Sequence, residues 1–296
     1  MAIESALENG EVVQHHPLKP VYQGLGEDYG LVCQLWSGPN QPLYITPDGN
    51  SMREISIRAN VTFYDPPTSR LYFTQLPNAL MATDGEKVKE IRRYEKGAAP
   101  WGIWREGDDV LVCLSGQGKI ADHEGKVWHD NLIVPYEVRT LNGRLYHVEG
   151  FTRRCLVDTA KNERIATCGE WVEGLDISID GKMLYFGSWR NHWSCWRSRE
   201  VYAFDGQTQR IVGVLPTAEP PFIIASIHSV NEQGREVLYA GCQRSDTIHA
   251  LELRDREYYR ERVLLEGKVI NVGSITAVPL EFLEKLDRNF GEGDWI

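Results

Sequence analysis

The side chains able to move protons, hold a cation or grip an anion recur at one point of a repeating pattern. Asn60, Trp101, Tyr136, Glu137, Glu173, Asp176, Ser226, His228 and Ser274 each stand at or near the start of the first strand of a unit. Glu173 heads the group. A carboxyl group in a narrow, largely aromatic channel has its pKa raised by desolvation, which suits it to general acid–base work near neutrality. His228 is the second candidate proton carrier, with a hydrogen-bonded place inside a strand as its alternative, and Tyr136 is the third. Asn60, Trp101, Glu137 and Ser226 are expected to contact the substrate. The segment SWRNHWSCWRSRE, residues 188–200, carries three of the nine tryptophans. So aromatic a stretch is costly to expose, so it either packs as plain structure or roofs a ligand pocket with Trp189, His192, Trp193 and Trp196. Its arginines (Arg190, Arg197 and Arg199) either hold a carboxylate or are solvated. No G-x-S-x-G, phosphate-cradling glycine loop or zinc spacing is present, which removes the common nucleophilic and zinc hydrolase readings.

Those positions have meaning only if a regular scaffold brings them together, and the chain repeats. A second-strand phrase returns as RLYFTQ (70–75), VLVCLS (110–115), RLYHVE (144–149), MLYFGS (183–188) and VLYAGC (237–242). A second phrase follows the same rhythm, an apolar strand, an Asp/Gly turn and another strand, as in MATDGEKVKEI from Met81 and YAFDGQTQRIV from Tyr202. Asp-Gly between alternating strands signals a hairpin. Five four-stranded units result, at about 60–94, 101–133, 135–169, 173–216 and 225–266. Three strands remain at the N-terminus (from Gly30, Pro42 and Met52) and one at the C-terminus (from Ser274). Three plus one make a sixth unit. The expectation is an all-β, six-bladed propeller closed by pairing the two ends of the chain, which protects the sheet edges. Residues 1–296 then form a single domain, with 1–25 as an N-terminal arm and 281–296 as a C-terminal tail. In such a fold the starts of the inner strands form the top mouth of a central channel, the default ligand pocket.

Bulk composition limits the partners. The 296 residues carry 32 Lys and Arg against 42 Asp and Glu, a net charge of −10 with the signs interspersed. That argues against a nucleic-acid partner. No apolar run approaches the ~20 residues that cross a bilayer, and the first residues lack a signal peptide's apolar core. The six cysteines are scattered with no C-x-x-C pair, so they read as free buried thiols of a cytoplasmic protein.

GLDISIDGKMLYFGSW followed by EVYAFDGQTQRI resembles the fourth blade of the senescence marker protein/gluconolactonase family, whose distant relatives are the strictosidine synthases. NVTFYDPPTSRLYFTQL resembles that family's first blade. The resemblance implies a six-bladed propeller, lactonase or esterase activity and one divalent cation, usually calcium, held in the channel by two carboxylates and two asparagines. Carried onto this chain, the ligand positions fall on Asn60, near Pro135, on Glu173 and near Ser226. Calcium takes six to eight oxygens, with carboxylates supplying charge. With Pro135 and Ser226 in two of the four places, calcium is expected to bind weakly or not at all, with Glu173 and Asn60 as the remaining metal ligands.

Three functions follow. The first is lactone or ester hydrolysis assisted by a cation. The second is a cyclisation or isomerisation that needs no metal and uses Glu173. The third is a catalytically silent propeller that binds a small molecule or a protein. An enzyme acting on a small organic substrate at the top of the channel is the reading carried forward.

Overall fold

The computed structural model describes residues 28–35, 38–150, 155–166, 171–192, 195–197, 200–214, 223–232, 234–243, 247–265, 267 and 271–296. These residues form six antiparallel sheets, each built on four strands that follow one another in sequence except where the two ends of the chain meet, arranged as the blades of a propeller. The inner strands of blades 1 to 5 are Thr62–Asp65, Pro100–Glu106, Pro135–Leu141, Trp171–Ile177 and Ile223–Glu232. In blade 6 the inner strand is Val272–Pro279, near the C-terminus, and it pairs with Tyr29–Leu35 near the N-terminus. Leu31 lies opposite Ala277 and Cys33 opposite Ile275. The three-plus-one closure expected from the leftover strands is therefore the one observed.

Local chemistry explains the strands and the turns. Arg53–Ala59 buries Ile55, Ile57 and Ala59 while exposing Ser56 and Arg58, the period of two that a half-buried strand requires. The third and fourth strands of several blades are joined by an aspartate that caps its own turn. Asp84 accepts the N–H groups of Glu86 and Lys87, both at 3.0 Å. Asp205 does the same for Gln207 at 2.8 Å and Thr208 at 2.7 Å. These backbone hydrogen bonds favour the ionised form and hold both carboxyls below their ordinary pKa.

Neighbouring blades pack face to face through apolar side chains. Tyr185, Leu238 and Leu251 meet between blades 4 and 5, and Val32, Leu71 and Phe73 between blades 6 and 1. The chain does not stop at the last blade. The helix Leu280–Phe290 presents Phe282, Leu283 and Leu286 to the core between blades 6 and 1. Burying each such side chain is worth about 1.5–3 kcal/mol. Gly291–Glu292 then adds a fifth strand at the outer edge of blade 6. The closing seam has a polar lock as well: the Tyr29 hydroxyl meets the Glu232 carboxylate and the Tyr239 hydroxyl of blade 5, and Glu232 also receives Arg262.

Two features of the inner strands shape the channel. In blades 2 to 6 each inner strand skips one register position near its start, as between Pro135 and Glu137 and between Glu173 and Leu175. A bulge of this kind re-aims the side chains that follow it. The inner strands do not pair with one another, so side chains bridge every junction. Thr62 meets Thr276 at 2.7 Å, Arg105 donates to Asp65 at 2.7 Å, and the Trp104 indole donates to Thr140 at 3.1 Å. Glu137 accepts the Leu175 N–H at 2.6 Å, Asp176 accepts the Ser229 N–H at 2.8 Å, and Ser226 accepts the Ile275 N–H at 3.1 Å. A ring of polar contacts thus links the six blades around the axis. Two junctions are especially tight. A Cβ on Gly102 would lie 2.5 Å from the Tyr136 carbonyl oxygen, and one on Gly174, at φ +66°, would lie 2.8 Å from the Ile227 nitrogen.

Candidate functional site

The inner strands of all six blades enclose a cavity of about 270 Å³. It occupies the middle of the channel and extends to Ile179, in the turn after the inner strand of blade 4. One arc of its wall carries ionisable groups: Glu137 and Arg139 from blade 3, Asp176 from blade 4 and His228 from blade 5. The rest is built of hydroxyls (Thr62, Ser226, Ser274, Thr276) and of apolar side chains, with Phe63 set edge-on to Trp104 at 5.9 Å.

Asp176 organises the ionisable arc. Its Oδ1 accepts from Arg139 Nε at 2.8 Å, and its Oδ2 accepts the Ser229 N–H and lies 3.1 Å from His228 Nδ1. Burial alone would raise its pKa; the adjacent Arg139 charge and the His228 contact overcome this and hold the carboxyl well below the ordinary range. Glu137 has the opposite balance. Its carboxyl borders the cavity but is surrounded by protein, and this desolvation pushes its pKa up to about 7 against the opposing Arg139 charge and Leu175 N–H. Two carboxyls on neighbouring strands therefore have their pKa values pushed in opposite directions, the arrangement that separates an acid from a permanently ionised partner.

Three polar atoms of this arc make no hydrogen bond among the described residues. They are Glu137 Oε1, Arg139 Nη2 and His228 Nε2, and all three residues border the same cavity. Together they offer an acid with a raised pKa, a fixed cationic donor and an imidazole oriented by a carboxylate.

The residues expected from sequence are distributed as follows. Glu137, Ser226 and His228 line the cavity, as do Asp176 and Ser274. Asn60 does not: its Oδ1 accepts the Asn40 N–H at 2.8 Å and its Nδ2 donates to Asn40 Oδ1 at 3.0 Å, joining blades 6 and 1. Trp101 and Tyr136 pack on each other with ring centroids 4.8 Å apart and do not border this cavity. The backbone of Glu173 lies in the inner strand of blade 4 opposite Gly187, but its side chain lies outside the described residues. The same holds for the side chains of Trp189, His192 and Trp196, while Trp193 lies outside altogether. What sequence reads as a loop is partly a hairpin, with Leu184–His192 continuing outward to pair with Cys195–Arg197. Arg139 and Trp104 were not singled out from sequence. The signal for Arg139 was its place two residues after Glu137 in PYEVRTL, on the same strand face.

The cation implied by the family resemblance does not fit these residues. The Asn60 amide is engaged by Asn40, Pro135 has no side-chain donor, and Ser226 Oγ accepts the Ile275 N–H. Among the described residues, no three His, Cys, Asp or Glu side chains converge as a metal site. Cys33, Cys113 and Cys155 are buried, and no helix among the described residues is long and apolar enough to cross a membrane.

The molecule is thus a six-bladed propeller with an acid–base cluster in its channel. No family model matches the sequence, and no curated protein matches it. Solved structures similar to it include a candidate 6-phosphogluconolactonase from Bacteroides uniformis, at 12% identity and TM-score 0.49, covering 85% of this chain and 100% of that one. The β-propeller domain of Myceliophteria thermophila Cps50 (Swd1) is similar at 15% identity and TM-score 0.48, over 72% of this chain and 73% of that one. TolB from Acinetobacter baumannii is similar at 13% identity and TM-score 0.48, over 85% of this chain and 66% of that one. At these identities and TM-scores the likenesses bear on neither activity nor substrate.

Proposed function

We propose that the protein is an enzyme that transfers protons to and from a small organic molecule held in the channel, and that opening a lactone or ester is the reaction this site suits best. The observation that carries the proposal is the set of three open polar atoms on Glu137, Arg139 and His228 around one cavity. Hydrolysis needs a base to activate water and an acid to protonate the departing oxygen. His228, oriented through Nδ1 by Asp176, presents Nε2 as the base. Glu137, with a pKa near 7, is protonated in a large fraction of molecules at neutral pH and serves as the acid. Arg139 holds Asp176 in place and keeps it ionised. The likeness of two blade phrases to the gluconolactonase family supports the same reaction class. Glu173 lies on the same inner strand as Asp176, and the sequence reading makes it a further candidate proton carrier.

The test is turnover of a panel of γ- and δ-lactones and simple esters by the wild type and by Glu137→Gln, His228→Gln and Glu173→Gln. The first two variants should fold normally and lose ~10²–10⁴-fold in kcat, and the wild-type kcat should fall as pH rises through about 7. Wild-type turnover that survives both substitutions unchanged removes the cluster from the chemistry.

A further inference from the structure

The guanidinium of Arg139 has an edge that its contacts to the protein leave open. Its Nε donates to Asp176 at 2.8 Å, and its Nη1 donates to the carbonyl oxygens of Val138 at 2.8 Å and Ile103 at 3.5 Å. The ring of Trp104 lies 5.0 Å from the guanidinium carbon. Arg139 is only 9% exposed, and what is exposed borders the cavity. Nη2 has no hydrogen-bond acceptor among the described residues. An arginine keeps its proton at any physiological pH, so the two N–H groups on Nη2 remain donors in a partly desolvated space. Four contacts fix the plane of the group, so little freedom is lost when an acceptor arrives. A charged, immobilised donor nitrogen favours an anionic oxygen such as a carboxylate's over a neutral one.

The surroundings select the kind of anion. Asp176 neutralises the Arg139 charge, but both its oxygens are engaged, by Arg139 and by Ser229 and His228. The wall beside the open edge is apolar, formed by Trp104, Phe63 and Ile103. A space of about 270 Å³ admits a compact organic molecule. Beyond this one cation and one imidazole, no cationic side chain among the described residues lines the cavity, and a phosphate dianion would call for more donors than these. Facing Glu137 are Arg139, Asp176, His228 and the thiol of Cys113. An anion entering beside Glu137 disfavours its ionised form, so anion binding and proton uptake reinforce each other.

We propose that the channel recognises small organic carboxylates, with the carboxylate on Nη2 of Arg139 and the hydrocarbon part against Trp104 and Phe63. The identification of such a carboxylate as part of the substrate rests on the acid–base reading of this cavity; the binding itself does not.

Calorimetric titration of the full chain with benzoate, with benzamide as its neutral counterpart and with inorganic phosphate, tests the inference. Benzoate should bind at least roughly ten-fold more tightly than benzamide, and Arg139→Lys should lose about that factor. Because Arg139→Lys also disturbs the contact to Asp176 and can impair folding, a second measurement uses the wild type alone. Benzoate binding should take up a proton, seen as heats that differ between buffers of different ionisation enthalpy, and should weaken as pH rises through about 7. Equal binding of benzamide, phosphate binding without benzoate binding, or no binding of benzoate overturns the proposal. A wild type that turns over lactones yet does not bind benzoate overturns it too and spares the reaction, whereas intact binding with turnover indifferent to Glu137→Gln sinks only the reaction.

Discussion

Two arcs of the channel wall solve the same structural problem with different chemistry. Inner strands of neighbouring blades do not pair, and each junction needs a side-chain bridge. Around blades 5, 6 and 1 the bridges are hydroxyls. Thr62 and Thr276 meet at 2.7 Å, Thr276 also donates to the Thr62 carbonyl oxygen at 2.9 Å, and Ser226 accepts the Ile275 N–H. Around blades 3, 4 and 5 the bridges are Glu137, Arg139, Asp176 and His228. Hydroxyls would hold those junctions at lower cost, because burying charge is expensive even when it is paired. The second arc also leaves an open polar atom on each of three residues, whereas the hydroxyls of the first satisfy one another.

The contrast is broken most forcefully at Asp176. Asp176→Asn leaves the buried Arg139 without its counter-ion, which should cost on the order of 3–5 kcal/mol in urea unfolding at neutral pH. Since the Asp176 carboxyl is held below its ordinary value of 3.8, this stabilisation is present above that value and is lost only as the solution becomes more acidic. A cost no greater than that of removing one hydroxyl would erase the difference between the arcs.

Glu137 sharpens the contrast through pH. Its pKa rises from an ordinary 4.5 to about 7 on folding, so its protonated form is favoured in the native state. The wild type should match Glu137→Gln in relative stability below pH 4.5 and fall behind it as pH rises to about 7, by on the order of 3 kcal/mol. Parallel stability curves for the two proteins across that range would mean that Glu137 is not desolvated.

The smallest effect belongs to the hydroxyl arc. Thr276→Val removes a bridge between blades 6 and 1 and should cost about 1 kcal/mol, with no change in pH dependence. A pH-dependent loss there would show that the two arcs are electrostatically connected.

Much of the architecture was legible in the residues because its determinants are local. RLYFTQ, RLYHVE and VLYAGC are short runs rich in strand-forming residues and buried on both faces, and aspartates such as Asp84 and Asp205 make turns with their own backbone neighbours. Counting those phrases left three strands at one end and one at the other, and closure followed. Residues 281–296 read only as a C-terminal tail, and the docking of the helix Leu280–Phe290 against blades 6 and 1 was not legible, because Phe282 and Leu286 find their partners in distant strands.

The site was legible only in part. The sequence alone determined that strand-start residues would gather round one axis, and Glu137 and His228 were among them. It did not determine which of those residues face the axis, since a bulge after the first positions of five inner strands changes the alternation from which facing is read. Asn60 holds the same nominal place as its counterparts, yet Asn40, from a loop of blade 6, takes up its amide. Arg139 carries no motif, and only the approach of blade 4 gives it Asp176 and leaves its outer edge open. Strand identity depends on neighbours in the chain, whereas the protonation and aim of a channel side chain depend on groups that only the closed ring brings within a few ångströms.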